Sequence, residues 1–551
     1  MDEKDFITQQ PAPDAGEPGS PSPSDAPVTA PVVADSAAEP VTECSAEGAD
    51  GTAAEGVASP AAKQSVGVKF VGFLKYLFGI NLKGYVVPGG EKFSYYFYFT
   101  GQNVIYSLVA YNLMTFLLLQ GVDPALSATV LICVKVWDAI NDAVFGTIFD
   151  KVKFKSGNKF MPWLRISVAL IPIATILLFC LPADIPGGGK LAWLAVFYVL
   201  WDTAYTLCDA PLYGSITVLT GNLGERDKML SVKGIFASAG GGLASLVVMI
   251  LLSEAVGSNY VVIAVVLGII AFATMLPFCI KGKERVSNLP PEQSFTIRRM
   301  LKYLFSNKYL LIYYLAFLFS SGMNMMASLQ LFTSFYVFGN SLFATVVMLV
   351  STIPSLIFAL LVPALIKKFN KITLYRFCLL AQVVISFIIF FAAYKNFVVY
   401  IILSVLNCVP AAVSAILLFM FTPDCAEYGR FKTGIEAKGI TFSLQTFMAK
   451  LTAAITGSLA LFILPLFGWI DIEAENFEEL AALAAQGITQ PEGAIKGLWF
   501  IYILLPAIGN LIAFVLLQFY KLKDRDVQLM ADANMGKISR EEAEASISCK
   551  L

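Results

Sequence analysis

From about residue 93 to residue 520, long apolar runs alternate with short charged connections. A helix crosses a bilayer with about 20 apolar residues. Runs of that size fall at 93–119, 124–149, 162–182, 191–219, 230–253, 259–280, 309–338, 342–366, 371–394, 397–421, 440–469 and 496–520. The pattern predicts twelve spanning helices, because a lipid-exposed backbone must satisfy its own hydrogen bonds. The connections carry a second pattern. Lysine and arginine crowd the even ones: Lys151, Lys153, Lys155 and Lys159 after the second run, Lys281 to Lys308 after the sixth, Lys367, Lys368 and Lys371 after the eighth. The odd connections hold few bases, and the one from Asp471 to Glu492 is acidic. Positive loops stay cytoplasmic, so both termini are expected inside.

The sixth connection, 281–308, contains Pro290-Pro291 and divides the runs into an N-terminal six-helix half, 67–280, and a C-terminal one, 309–520. The first and seventh runs share a weak pattern: lysine and aromatics, a polar step, then apolar residues up to a glycine. Two such halves are the build of major facilitator transporters. The expected class is an all-α membrane protein of that fold. Residues 521–551 read as a charged cytoplasmic tail containing an amphipathic helix.

Composition sharpens this. The chain of 551 residues is 57% hydrophobic and only 14% charged, against roughly 25% charged in soluble domains. Its net charge of -1 hides an asymmetry. Residues 1–66 hold twelve acids against Lys4 and Lys63, so the remainder is basic. That first segment, rich in Ala, Pro, Ser and Gly, reads as a disordered acidic tail without a secretory signal. Nine scattered cysteines show no metal spacing and read as free thiols. Histidine is absent, so any proton carried must ride on carboxylates. No phosphate loop, dinucleotide fingerprint or histidine metal set occurs, so the chain does not read as an enzyme.

Against this apolar background a few polar residues stand out. The second run reads CVKVWDAINDAVFGTIFD, with Lys135, Asp138, Asn141 and Asp142. Asp138 and Asp142 are four apart and share a helix face. Charged groups at membrane depth are costly and default to a functional role. Two carboxylates and an amide are hard oxygen ligands for a small cation. The bland reading is a structural ion cluster. In the fourth run Asp202, Thr206, Asp209 and Tyr213 form one stripe, and Pro211 opens the backbone ladder beside them. Tyr205 lies next to it, where an aromatic face suits a sugar or simply packs. Gln445, Thr446 and Lys450 lie well inside the eleventh run, where a lysine needs a partner or a snorkelling path. Gln102 and Asn103 in the first run suit a polyhydroxylated ligand or an inter-helix hydrogen bond.

WDAIND at 137–142, KFMPWL at 159–164, YTLCDAPLY at 205–213, ERDKML at 225–230, IFASAGG at 235–241 and DCAEYGRFKTGIEAKGITFSLQTFMAK at 424–450 together resemble the glycoside-pentoside-hexuronide:cation symporter family, over about 90–525. The resemblance implies a cation site of Asp138, Asn141, Asp142 and Thr206, which are also the metal ligands if the ion is Na+. It implies sugar contacts at Asp209 and Tyr213, with Gln445 and Thr446 matching a glutamine–threonine pair of the family motif. It implies Lys450 as a coupling residue, with Lys135 standing where the family has an arginine. The chain also departs from the pattern. Asn103 replaces a sugar-holding aspartate and Gln102 a lysine. Ala143 replaces a proline, Lys233 lies near the position of a helix-5 arginine, and Arg430, Glu436 and Lys438 rearrange a charged loop. Asp202 is an additional carboxylate, placed to pair with Lys135.

The expected function is secondary active symport of a sugar, glycoside or uronide by alternating access. Na+ is the expected coupling ion, with H+ or Li+ as alternatives, and no organic cofactor is expected. A cation-coupled carrier of a non-sugar amphiphile such as a lysolipid is the second reading, and a non-transporting sensor or scaffold the third. The partners expected are a small-molecule sugar or glycoside and membrane lipid, with no nucleic acid. The chain is expected to act as a monomer in the plasma membrane.

Overall fold

The computed structural model describes residues 84–152, 154–182, 184–286, 297–434 and 438–548. The acidic tail and residues 67–83 therefore lie outside the described residues, as do Pro290-Pro291 and Glu436. The spanning helices are α1 (Gly89–Leu119), α2 (Pro124–Lys151), α3 (Met161–Phe179), α4 (Gly187–Leu219), α5 (Leu223–Leu251) and α6 (Tyr260–Lys281). They continue as α7 (Lys308–Phe338), α8 (Phe343–Lys368), α9 (Lys371–Ala392), α10 (Phe397–Leu418, prolonged by Phe421–Thr433), α11 (Lys438–Ile463) and α12 (Glu492–Leu517). Twelve helices stand where twelve apolar runs were read. Among the described residues, eleven stretches are long and apolar enough to cross a membrane. The twelfth, α2, is 28 residues long and carries Lys135, Asp138 and Asp142.

Local chemistry starts these helices. Asp123 caps α2, accepting from Leu126 N at 2.7 Å, and Pro124 opens it. Asn222, Asn259, Asn307 and Asn396 cap α5, α6, α7 and α10 in the same way. Such caps satisfy amides that the first turn leaves without partners. Proline interrupts the interior of α3, α4, α6, α8 and α10. α7 breaks at Met323–Met325, between Gly322 and Met326. Gly240 lets α5 lie directly on α1, since a Cβ there would run into Thr100 O.

The helix ends define two ends of the bundle. The terminal end carries the start of α1 and the end of α12; the distal end carries the opposite tips. At the terminal end the described ion pairs stay within one half. Lys92 meets Glu225 at 2.8 Å, with both side chains fully buried. Arg285 meets Glu91 at 2.5 Å. Glu284 accepts from Lys159 N, Phe160 N and Met161 N at 2.7–2.8 Å, a carboxylate at the start of α3. In the second half Lys371 joins Asp424 at 2.5 Å and Asp524 at 3.5 Å. The charged tail forms helices Asp524–Asn534 and Arg540–Ser546, and Asn534 donates to Glu427 at 3.0 Å.

The distal end is different, because there the halves join. Thr115 on α1 donates to Ser328 O on α7 at 2.9 Å. The acidic α11–α12 connection folds onto the first half. Ala474 N donates to Leu119 O at 2.7 Å, Phe477 N to Leu252 O at 3.2 Å and Asn476 Nδ2 to Gly257 O at 2.8 Å. Lys190, 5% exposed, meets Glu473 at 2.5 Å. Glu254 accepts from Ser341 N at 2.9 Å and from Ser341 Oγ. Hydrophobic packing follows the same division. One buried cluster unites α1–α6 with Phe332, Trp469, Phe477 and Trp499, whereas a second, around Tyr313, Tyr375, Phe421 and Tyr520, belongs to the second half.

Candidate functional site

The polar residues read from α2, α4 and α11 converge halfway along the bundle. Asn141 Nδ2 donates to Thr206 Oγ1 at 2.9 Å. Thr206 Oγ1 lies 3.3 Å from Asp142 Oδ1 and 3.2 Å from Asp202 O, one turn back on α4. Lys450 crosses from the other half, donating to Asp138 Oδ1 at 3.1 Å and pairing with Asp142 Oδ2. Lys135 stands 3.8 Å from Asp138 Oδ2 and 3.8 Å from Asp202 Oδ1. Two lysines thus serve three carboxylates. With every group ionised the cluster is one positive charge short, a deficit that a monovalent cation would cancel. Buried charge is tolerated only when it is paired in this way.

Exposure is uneven across the cluster, and the Lys135 side chain, one turn distal of Asp138, is 24% exposed. The side chains of Lys450 and Asp142 are 40% and 42% exposed, and that of Asp138 is 11%. Asp202, nearer the distal end, is buried, and its Oδ2 has no hydrogen-bond partner. Asp142 lies one turn closer than Asp138 to the terminal end of α2.

A second group lies on the terminal side of α4. Gln102 Nε2 donates to Asp209 Oδ1 and, at 3.2 Å, to the Tyr205 hydroxyl, while its own Oε1 is buried without a partner. Tyr205 is backed by Trp201, stacked at 5.2 Å, and by Tyr106 at 5.5 Å. Tyr213 is half exposed. The Lys233 ammonium sits 3.6 Å above its ring, a cation–π contact, and Phe99 meets the ring edge-on at 5.4 Å. Carboxylate, amide, hydroxyl and aromatic face are the groups that bind a polyhydroxylated ring.

Other residues singled out in the sequence lie further from these contacts. Asn103 donates to its own helix at Phe99 O, 2.9 Å away. Thr446 is exposed and turns back to Phe442 O at 3.4 Å. Gln445 Oε1 is buried without a partner. Glu225 of the ERDKML stretch serves the fold: it accepts from Val86 N, Val87 N and Thr220 Oγ1 as well as pairing with Lys92. The distal contacts of Lys190, Glu254, Glu473 and Asn476 escaped the sequence reading. Their only sign there was the acidity of the 471–492 connection, set against an isolated Lys190.

Two six-helix groups, joined at the distal end and bridged halfway along the bundle by a charge cluster, define a secondary transporter of the major facilitator fold, not an enzyme. More particularly, the chain belongs to the MFS/sugar transport protein family, whose pattern matches residues 95–524. It is 22% identical to the isoprimeverose transporter of Lactiplantibacillus pentosus, over 81% of this chain and 91% of that protein. It is 24% identical to the uncharacterized symporter YnaJ of Bacillus subtilis (strain 168), over 78% and 90%. The fold is similar to that of the nucleoside transporter NupG, with a TM-score of 0.56 and 13% identity over 79% of this chain and all of that one.

Proposed function

We propose that this chain carries out symport of a sugar or glycoside with a monovalent cation, by alternating access. The observation that carries this reading is the ammonium of Lys450 lying on Asp138 and Asp142, with Asn141 and Thr206 alongside. The lysine occupies the place a cation would take and links the two halves through it. Entry of a cation between Asp138, Asn141, Asp142 and Thr206 displaces Lys450 from the pair. Cation occupancy and the arrangement of the halves are then one equilibrium, and the coupling is reciprocal. The sugar site adjoins through Asp209, Tyr205 and Tyr213, with Asn103, Gln445 and Thr446 reached by rotamer changes and closure.

Hard oxygen ligands favour Na+ or Li+, and carboxylates alone would also serve H+. The relatives named for sugar transport and symport support the coarser reading and weigh against a lysolipid carrier. The exposure of Asp142 and Lys450 toward the terminal end supports an inward-open state, with the termini cytoplasmic and the membrane that of the cell surface.

The test is uptake by proteoliposomes of a panel of glycosides and hexuronides, with an imposed Na+ gradient and then an imposed pH gradient. Na+-stimulated uptake of at least one sugar supports the proposal. Uptake that follows pH alone moves the coupling ion to H+, and an absence of uptake for every sugar under both gradients refutes the sugar reading.

A further inference from the structure

Asp202 has no part in the cation set just proposed, yet it is the most deeply buried carboxylate of the cluster. It is 4% exposed, and one of its two oxygens has no hydrogen-bond partner. Its other oxygen lies 3.8 Å from Lys135 Nζ, and Asp138 Oδ2 lies 3.8 Å from the same nitrogen. Both distances exceed those of a charge-assisted hydrogen bond, which run to about 2.9 Å. Lys135 therefore stands between two carboxylates and is bonded tightly to neither. Its ammonium lies 5.5 Å from the centroid of the Tyr198 ring.

There is room for Lys135 to move. It lines a cavity of about 80 Å³ on the distal side of the cluster, walled by Tyr106, Tyr198, Trp201, Ser328 and Ser458. A cavity of that size has room for a few waters. Ser458 Oγ is buried there without a partner. The other charged or titratable groups facing Asp202 are Asp138 and Asp142 from α2, Lys450 from α11 and Tyr198 from α4 itself. On the other side of α4, α3 presents Thr175, which is engaged by Trp201 Nε1 at 3.0 Å.

We propose that Asp202 is a positioning residue that receives Lys135 when the coupling cation enters, and so sets the affinity of the cation site. This rests on the symporter reading above. A cation held by Asp138 and Asp142 repels the Lys135 ammonium from Asp138. Without a second carboxylate that ammonium would be left desolvated and unpaired, which is costly. With Asp202 beside it, Lys135 exchanges a shared, long pair for a short one, and the cation takes over Asp138. With every group ionised the site is one positive charge short until the cation arrives, and neutral afterwards.

The experiment is binding of radiolabelled Na+ to the purified full chain in nanodiscs, with Li+ as competitor, for the wild type, Asp202→Asn, Asp202→Glu and the double variant Asp202→Asn/Lys135→Met. A carboxylate removed from within several ångströms of a cation at an effective dielectric of about 20 implies an affinity loss of roughly tenfold or more in Asp202→Asn. Asp202→Glu retains most of the affinity. The double variant recovers it to within about threefold of the wild type, because the stranded ammonium has gone with its partner. A residue needed only for packing gives no such rescue. Thermal unfolding of each variant, compared with the wild type, identifies one that fails to fold; if that is Asp202→Asn, the affinity of the double variant decides. If the wild type binds Na+ and Asp202→Asn binds it equally well, the inference is overturned and the symporter reading stands. A double variant no better than the folded single variant also overturns it. A wild type that binds neither Na+ nor Li+ overturns this inference together with the choice of ion.

Discussion

The distal end and the charge cluster both join the two halves, by opposite means. At the distal end the contacts are many, short and mostly neutral: main-chain amides of Ala474 and Phe477 on carbonyls of Leu119 and Leu252, the amide of Asn476 on Gly257 O, and one ion pair, Lys190–Glu473. At the cluster a single side chain, Lys450, crosses between the halves to two carboxylates. Neutral main-chain contacts cannot respond to a cation. A contact between an ammonium and two carboxylates must respond to one. The difference teaches where control resides. On the symport reading proposed above, the distal contacts set how hard that end is to open, and the cluster decides when.

Breaking the cluster is expected to have the largest effect. Asp142→Asn removes one of the two carboxylates under Lys450 and one oxygen ligand, and cation-driven uptake should fall by about 100-fold or more, the scale of losing a charged partner at about 2–5 kcal/mol. Uptake within a few-fold of the wild type would remove Asp142 from the coupling. Lys450→Ala should separate binding from coupling. Na+ binding persists or tightens because its competitor is gone, while Na+-driven accumulation is lost, again by roughly 100-fold. Accumulation unchanged from the wild type would mean that the halves are coupled elsewhere.

The distal contacts are expected to give smaller, graded effects. Lys190→Ala strips the buried lysine from Glu473, which is 55% exposed and keeps its water. About 1 kcal/mol is the expected loss for so exposed a pair, shifting the equilibrium roughly fivefold toward opening of the distal end. Thiol labelling of a Ser458→Cys reporter in the distal cavity should accelerate by that factor. Labelling no faster than with the Lys190–Glu473 pair intact would show that Lys190 does not hold the end closed. Asn476→Ala loses its bond to Gly257 O and the cap it gives Glu479 N, and should open the same reporter by about 1 kcal/mol. The smallest effect is expected from Glu492→Gln. It breaks the Lys496–Glu492 pair, exposed on both sides and within one helix, and should change labelling and uptake by less than about twofold.

The sequence told a good deal about the candidate site because its members lie close together along single helices. Asp138, Asn141 and Asp142 fall within five residues, and Asp202, Thr206, Asp209 and Tyr213 follow one helical stripe. Helix periodicity converts that spacing into a shared face without any knowledge of the fold. The same rule said nothing about Gln102, whose partners Tyr205 and Asp209 are more than a hundred positions away. It also gave Gln445 and Thr446 no direction, and Thr446 is spent on its own helix. Glu225 stood inside a motif and turned out to organise a turn, because a motif marks a position and not the role it plays.

What the sequence determined by itself was the twelve helices, since a bilayer demands about 20 apolar residues for each crossing and leaves the backbone no alternative. It also determined which helices carry charge at membrane depth, because Lys135, Asp138 and Asp142 in α2, Asp202 and Asp209 in α4 and Lys450 in α11 interrupt otherwise apolar runs. Only the tertiary structure decided which charges meet. Lys450 reaches Asp138 across 312 positions and Lys190 reaches Glu473 across 283. Local periodicity carries no information at such separations. Ion pairing is set by where packed helices bring side chains in an environment of low dielectric, and that is a property of the assembled bundle.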